Sequence, residues 1–251
     1  MSSVAVVGSL SLDRIAGARA TIGGGAYHAA RALRVVARHS QVLARCGDGD
    51  RRLLSPRLAA LGIPARVLHG ERTTAFSFSY RGDHREMHVE VVGDEWRTDD
   101  ADALPKKLRW VHVSPLLRSD FDAATLAAFG RGRTMLLDGQ GLVRVAEPGT
   151  LRLDASFDRA VLDHVSILKL SEEEAEVVGD VDVPELIVTR GARGATIRAD
   201  GRSADVRAHP LAREPTGAGD AFGAAYLVAR ADGYAPVAAA RRATSVVASL
   251  L

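Results

Sequence analysis

Short apolar runs alternate along the chain with stretches whose apolar residues recur every three to four positions. These two periods predict strands and helices in turn. Residues 4–7, 110–113, 134–137, 165–168 and 186–189 are each β-branched or apolar and about as long as a buried strand. After Gly23-Gly24-Gly25, the residues Ala26, Ala29, Ala30, Leu33, Val36 and Ala37 share one face at helical spacing, which predicts an amphipathic helix. Strand and helix in alternation predict a parallel sheet covered by helices on both sides. Residues 66–92 break the alternation. There Thr74, Phe76, Phe78 and Tyr80 form one alternating set, Arg81-Gly82-Asp83 reads as a turn, and residues 84–92 return as a second strand. This hairpin is predicted to lie outside the main sheet as a small β lid. No repeat, low-complexity tract or linker divides the chain, so residues 1–251 are expected to form a single domain with a lid insertion at about 66–92.

Composition narrows the class. With 251 residues, 47% hydrophobic and 25% charged, the chain can bury a sizeable core, and its composition disfavours disordered, collagen-like and coiled-coil readings. The 33 basic and 31 acidic residues are interspersed and leave a formal charge of only +2. No extended basic face results, so no nucleic-acid partner is expected, while small anions remain partners of the right chemistry. No apolar run approaches the ~18 residues of a membrane span, and no membrane association is expected. Cys46 is the only cysteine, and residues 1–7 lack a basic segment followed by a long apolar core. Both features predict a cytoplasmic protein.

The segment with the most chemistry is Glu214-Pro215-Thr216-Gly217-Ala218-Gly219-Asp220-Ala221-Phe222, followed by a helical pattern. Two glycines at a helix start let backbone N–H groups converge where the helix dipole favours negative charge, which makes an anion hole. A carboxylate at the same place suits a base that takes a proton from a substrate hydroxyl. Taken alone, the segment also reads as a glycine-bearing turn with Asp220 as a helix cap.

Three more segments stand with it: Gly8-Ser9-Leu10-Ser11-Leu12-Asp13, Gly23-Gly24-Gly25-Ala26, and residues 184–194, which read Pro-Glu-Leu-Ile-Val-Thr-Arg-Gly-Ala-Arg-Gly. In order and spacing the set resembles the PfkB (ribokinase-like) family of ATP-dependent carbohydrate kinases over almost the whole chain. The resemblance implies a three-layer α/β/α fold with a mostly parallel central sheet and a β lid, ATP and Mg2+ as cofactors, a small sugar or polyol as substrate, and room for a homodimer. It makes Asp220 the catalytic base and Gly217, Ala218 and Gly219 the anion hole. Asp13, Gly24 and His28 fall on its substrate-binding positions, and Lys169, Thr189, Gly191, Gly194 and Thr216 on its nucleotide-binding ones. Asp13 by itself also reads as a strand-end cap.

Asp138-Gly139-Gln140-Gly141-Leu142-Val143-Arg144 resembles the Asp-x-Gln-Gly-x-x-Arg segment of inositol-kinase-like members, which implies that Gln140 and Arg144 face the substrate. Gln can pair with vicinal hydroxyls in both directions, and Arg can bridge substrate and γ-phosphate. Ser171-Glu172-Glu173-Glu174 stands where the family carries Asn-x-x-Glu, which gives Glu174 a role near magnesium; the same four residues also form a capping box.

Departures from the family pattern set further expectations. His28 replaces a common Asn, which alters the hydrogen-bond pattern offered to substrate. Glu214-Pro215 puts a monovalent-cation site in doubt, because Pro has no N–H. The chain stops at Leu251, short of the tail that commonly completes the adenine pocket, so weak nucleotide binding is one expectation. The Asp13–Gly23 spacing is short for lid strands, so the lid is expected mainly from 66–92. His84, Glu86 and His88 share a strand face and imitate a metal site, but read as a solvated lid face. An inositol-like polyol is the first acceptor expected, a nucleoside the second; a sugar- or nucleotide-binding sensor is the reading from another class.

Overall fold

The computed structural model describes residues 3–37, 39–81, 84–209 and 216–250. In chain order the elements are β1 (Val4–Ser9), β2 (Ser11–Ile15), β3 (Thr21–Gly23), α1 (Gly25–Val36), β4 (Gln41–Arg45), α2 (Arg51–Ala59) and β5 (Ala65–Leu68). The hairpin β6 (Thr74–Arg81) and β7 (His84–Val91) follows, then β8 (Trp110–Val113), α3 (Ala123–Gly130), β9 (Thr134–Asp138), α4 (Gln140–Val143) and β10 (Gly149–Thr150). The chain ends in β11 (Ile167–Ser171), α5 (Glu172–Val178), β12 (Glu185–Thr189), β13 (Ala195–Ala199), β14 (Arg202–Val206), α6 (Ala218–Ala231) and α7 (Pro236–Leu250).

Nine strands form the main sheet in the order β14-β13-β12-β11-β9-β8-β1-β4-β5. It is parallel from β12 to β5, with β13 and β14 added antiparallel at one edge. Its central strands are buried on both faces, which is why they read as uninterrupted apolar runs. One face packs against α1, α2, α6 and α7 through Ala29, Leu33, Leu54, Leu58, Tyr226 and Ala240; the other packs against α3 and α5 through Leu126, Phe129 and Val178. The three layers are those of the ribokinase-like α/β fold. Helix α6 is buried on nearly every side, from Ala221 to Ala229, and its small residues let it sit between α1, α7 and the sheet.

The strand expected at 165–168 lies at Ile167–Ser171 instead. A 3-10 turn, Arg159–His164, capped by the Asp158 side chain on the Ala160 N–H, uses up the residues before it, and the strand runs on through the charged Lys169 because that ammonium is paired inside the fold.

The lid differs from expectation in its parts. Ala65–Leu68 joins the main sheet as its parallel edge beside β4. The hairpin β6–β7 lies outside that sheet, and it recruits β2, β3 and β10 into a five-stranded sheet ordered β10-β7-β6-β2-β3. Strands of five and three residues suffice in β2 and β3 because β6 supplies the partner that a short Asp13–Gly23 segment lacks on its own. Phe76, Phe78 and Val89 bury the inner lid face against Leu116 and Leu117. The turn residues Gly82 and Asp83, and the Glu214-Pro215 pair, lie outside the described residues. No helix among the described residues is long and apolar enough to cross a membrane.

Candidate active site

Ligands of open α/β sheets bind at the carboxyl ends of the strands, where the chain's direction of travel across the sheet reverses. Here that point is β1, flanked by β4 on one side and β8 on the other. A cleft of about 460 Å³ opens there under the lid. It collects all the predicted site residues: Asp13, Gly24 and His28 from the β1–α1 region; Gln140, Arg144, Lys169 and Glu174 from the middle of the chain; Thr189, Gly191 and Gly194 after β12; and Thr216 to Asp220 at the start of α6.

Gly217 precedes α6 in the left-handed region, at φ 85°, and a Cβ on it would overlap the His28 ring. Only glycine meets both demands without strain. The turn leaves the first amides of a 14-residue helix facing the cleft, and Asp220 stands in the first turn beside them. Its Oδ1 accepts a hydrogen bond of 2.9 Å from Ser114 Oγ, at the end of β8. Gly25 opens α1 against this pair. A Cβ there would overlap Ser114 Oγ and come within 2.8 Å of Asp220 Oδ1, so the third glycine of the Gly23-Gly24-Gly25 run gives room to the carboxylate and its partner.

Beneath α6 lies a buried polar chain. His112 Nε2 meets Asp138 Oδ2 at 2.6 Å, and Asp138 Oδ1 is ion-paired with Lys169 Nζ. Asp138 is acceptor-only when ionised, so His112 donates from Nε2, and its buried Nδ1 has no hydrogen-bond partner among the described residues. Burial pushes the Asp138 carboxyl up, but the Lys169 ammonium and His112 outweigh it and hold it below the usual range. For Lys169, burial pulls the ammonium down, and the carboxylates of Asp138, Glu174 and Asp220 together raise it. Lys169 is thus a buried cation close to the first turn of α6.

Toward the lid, Asp13 Oδ1 accepts from Ser11 Oγ at 2.6 Å, and Gln140 Nε2 donates to the Pro115 carbonyl at 2.6 Å. Phe76, Phe78, Met87 and Leu116 wall this half with apolar surface. On the other side, Glu174 and Ser171 form the predicted capping box: Ser171 N–H donates to Glu174 Oε2 at 2.8 Å and Glu174 N–H to Ser171 Oγ at 3.1 Å. Glu174 still lines the cleft. Among the described residues no group of three or more His, Cys, Asp and Glu side chains gathers as a metal site. The side chain of His84 lies outside them.

Ser114, His112 and Asp120 carry no motif, and sequence reasoning missed them. A serine or histidine at a strand end is a common residue, and only the sheet order brings these beside Asp220 and Lys169. Asp120 is 2% exposed behind the cleft wall, and its Oδ2 accepts from the Leu116 N–H at 2.8 Å. Burial pushes its carboxyl up to about 7; the amides of Leu116 and Leu117 oppose this, Glu95 adds to it and Arg144 opposes it. The folded protein therefore holds a proton that the unfolded chain, titrating at about 3.9, has given up. Stability due to that proton is present at low pH and is lost as pH rises towards 7 and above. Asp120→Asn keeps an acceptor for the amide and removes the charge. Its Tm relative to the parent is expected to be higher at pH 8 than at pH 5 by about 5–10 °C; a difference constant between those pH values would contradict the assignment.

The α6 amides, the Asp220 carboxylate beside them and the buried Lys169 cation form one polar cleft whose chemistry suits an anionic group next to a small hydroxylated molecule. The sequence model of the pfkB family of carbohydrate kinases matches residues 3–250, and the chain belongs to that family. Inositol 3-kinase of Zea mays is 36% identical over 98 residues, a match covering 36% of this chain and 26% of the maize protein. Among solved structures, a pyrophosphate-dependent kinase in the ribokinase family, complexed with a pyrophosphate analog and myo-inositol, superposes with a TM-score of 0.85 at 22% identity, covering 98% of this chain and 94% of that one. The Burkholderia thailandensis nucleoside kinase in complex with inosine superposes with a TM-score of 0.77 at 21% identity, covering 98% and 90%.

Proposed function

We propose that the protein transfers the γ-phosphoryl group of ATP to a hydroxyl of an inositol-like polyol. The observation that supports this reading is that one cleft collects Asp220 together with Asp13, Gln140 and Arg144, which suit an acceptor, and with Lys169, Thr189 and Thr216, which suit a donor. The acceptor hydroxyl gives its proton to Asp220 as its oxygen bonds to the γ-phosphorus. The bond from that phosphorus to the bridging oxygen breaks, and the nucleoside diphosphate leaves with the electron pair. The α6 amides from Gly217 to Gly219 and the Lys169 ammonium receive the charge on the transferring group.

Mg2+ suits this site, because it is normally held by substrate phosphates, water and one or two carboxylates rather than by an all-protein cage. Glu174, which lines the cleft, would hold it, and the ion would supply charge neutralisation on the phosphates when bound. Ala192, Ala208, Val247 and Ala248 add small apolar side chains to the cleft lining, surface on which a flat base could pack, and this supports ATP over a donor without one.

A second reading is a nucleoside acceptor, favoured by the apolar wall of Phe76, Phe78, Met87 and Leu116. The test is a panel of cyclitols, sugars and nucleosides, each with Mg-ATP and with Mg-pyrophosphate, read as phosphorylated product. Product with myo-inositol or a close polyol and ATP is expected. Product with nucleosides only would favour the second reading, pyrophosphate as the sole donor would overturn ATP, and tight nucleotide binding without product from any acceptor would point to a sensor.

A further inference from the structure

Gln140 and Arg144 reach the cleft from the two ends of α4, a helix of only four residues, Gln140–Val143. A single turn is too short to hold itself, and its last carbonyls find no partner within it. Arg118, outside the cleft lining, serves three of those carbonyls in a row. Its backbone N–H donates to the Arg144 carbonyl at 3.0 Å, its Nε to the Leu142 carbonyl at 3.0 Å and its Nη2 to the Val143 carbonyl at 3.1 Å. The same guanidinium ties down the chain that follows: Nη1 donates to the Ser156 carbonyl at 3.0 Å, and Nη2 faces the Asp154 carbonyl at 3.0 Å and the Asp154 carboxylate. The start of α4 is held from the same turn. Gln140 Nε2 donates to the Pro115 carbonyl at 2.6 Å, and a Cβ on Gly141 would overlap the Pro115 ring. Residues 115–118 and α4 therefore form one packed unit.

We infer that Arg118 is a positioning residue for the reaction, which sets where Gln140 and Arg144 stand in the cleft without touching either substrate. This rests on the reading of Gln140 and Arg144 as acceptor-facing made above. The task requires a guanidinium. Its five N–H groups fan out in a plane and meet carbonyls on several sides, whereas an ammonium offers three donors from one point. The charge pair with Asp154 is the dispensable part: that side chain is 42% exposed, where solvent screens the pair. Leu142 and Val143, whose carbonyls Arg118 serves, are buried.

The experiment measures kcat, both KM values and backbone hydrogen exchange at residues 139–145 in Arg118→Lys, Asp154→Asn and Ile63→Ala, with whichever acceptor and donor the panel turns over. Arg118→Lys keeps the charge and the backbone N–H but loses the fan. It is expected to lower kcat/KM for the acceptor about 10- to 100-fold, the effect of a small misplacement of positioning groups, and to leave donor KM within about threefold. Exchange at 139–145 is expected to quicken, with or without substrate. Asp154→Asn keeps an accepting oxygen and removes only the charge, so its kinetics should stay within about twofold of the parent. Ile63→Ala opens the core just before β5, away from the carboxyl ends of the strands, and reads what lowered stability alone does to turnover. Acceptor kinetics of Arg118→Lys within about threefold of the parent and unchanged donor KM, or unchanged exchange at 139–145, would overturn the inference. So would an equal loss in Asp154→Asn or in Ile63→Ala. A rise confined to donor KM, together with faster exchange at 139–145, would uphold Arg118 as the positioning residue and move Gln140 and Arg144 to the donor side, so that only the acceptor reading falls.

Discussion

Asn in place of Asp220 is expected to lower kcat about 10²- to 10⁴-fold, the usual cost of losing a general base. The amide is nearly isosteric with the carboxylate. Its oxygen can still accept from Ser114 Oγ, which now reaches Asp220 Oδ1 at 2.9 Å, so the local geometry has no reason to collapse. What the amide cannot do is take the acceptor's proton while the new P–O bond forms. The KM values for donor and acceptor are therefore expected to stay within a few-fold of the parent, and Tm within a few degrees. The one electrostatic side effect is on Lys169, which loses one of its three anionic neighbours and keeps Asp138 and Glu174. Steady-state kinetics for both substrates, with Tm as the check on folding, decide the matter. A kcat near that of the parent would remove Asp220 from its proposed role, and a loss confined to donor KM would move it to the nucleotide half.

Much of this cleft was legible because its chemistry is local. A glycine at positive φ ahead of a helix, with a carboxylate in the first turn, is written in the five residues from Thr216 to Asp220, and tertiary structure only has to leave it exposed. The capping box of Ser171 and Glu174 is local in the same way, and both of its hydrogen bonds are present. The hidden parts are those that depend on sheet order. Ser114 follows β8 and meets a residue 106 positions away, so no spacing rule could couple it to Asp220. His112 and Asp138 meet only because β8 and β9 are neighbours. The lid strands β2 and β3 were obscured by their polar residues Ser11, Asp13, Arg14 and Thr21: a half-buried sheet beside a cleft turns its functional side chains inward and loses the apolar alternation that marks a strand. Strand β5 was misplaced for a related reason, since an exposed edge strand, here Ala65–Leu68, carries no clean pattern to say which sheet it joins.

Lys169→Met is expected to have the largest effect on stability. The ammonium lies at the base of the cleft, 7% exposed, in an ion pair with an Asp138 that is itself 1% exposed. Removing one partner of a buried pair strands the other charge, which typically costs about 3–5 kcal/mol, and for a chain of this size that lowers Tm on the order of 10 °C. His112 can offset only part of this, since it already donates to the other oxygen of Asp138. The sign with pH follows from the same charge. Without Lys169, burial dominates the Asp138 carboxyl and favours its protonated form, so the deficit should narrow as pH falls from 8 to 5. Asp138→Asn combined with Lys169→Met removes the stranded anion, keeps an acceptor for His112 Nε2–H and should recover more than half of the lost stability. It should recover little of the lost turnover, because the cation close to the first turn of α6 is still missing. Thermal unfolding and kcat measured on the parent, the single variant and the double variant separate the two roles. Recovery of turnover together with stability would make Lys169 a purely structural residue, whereas recovery of stability alone assigns its charge to the phosphoryl group in flight.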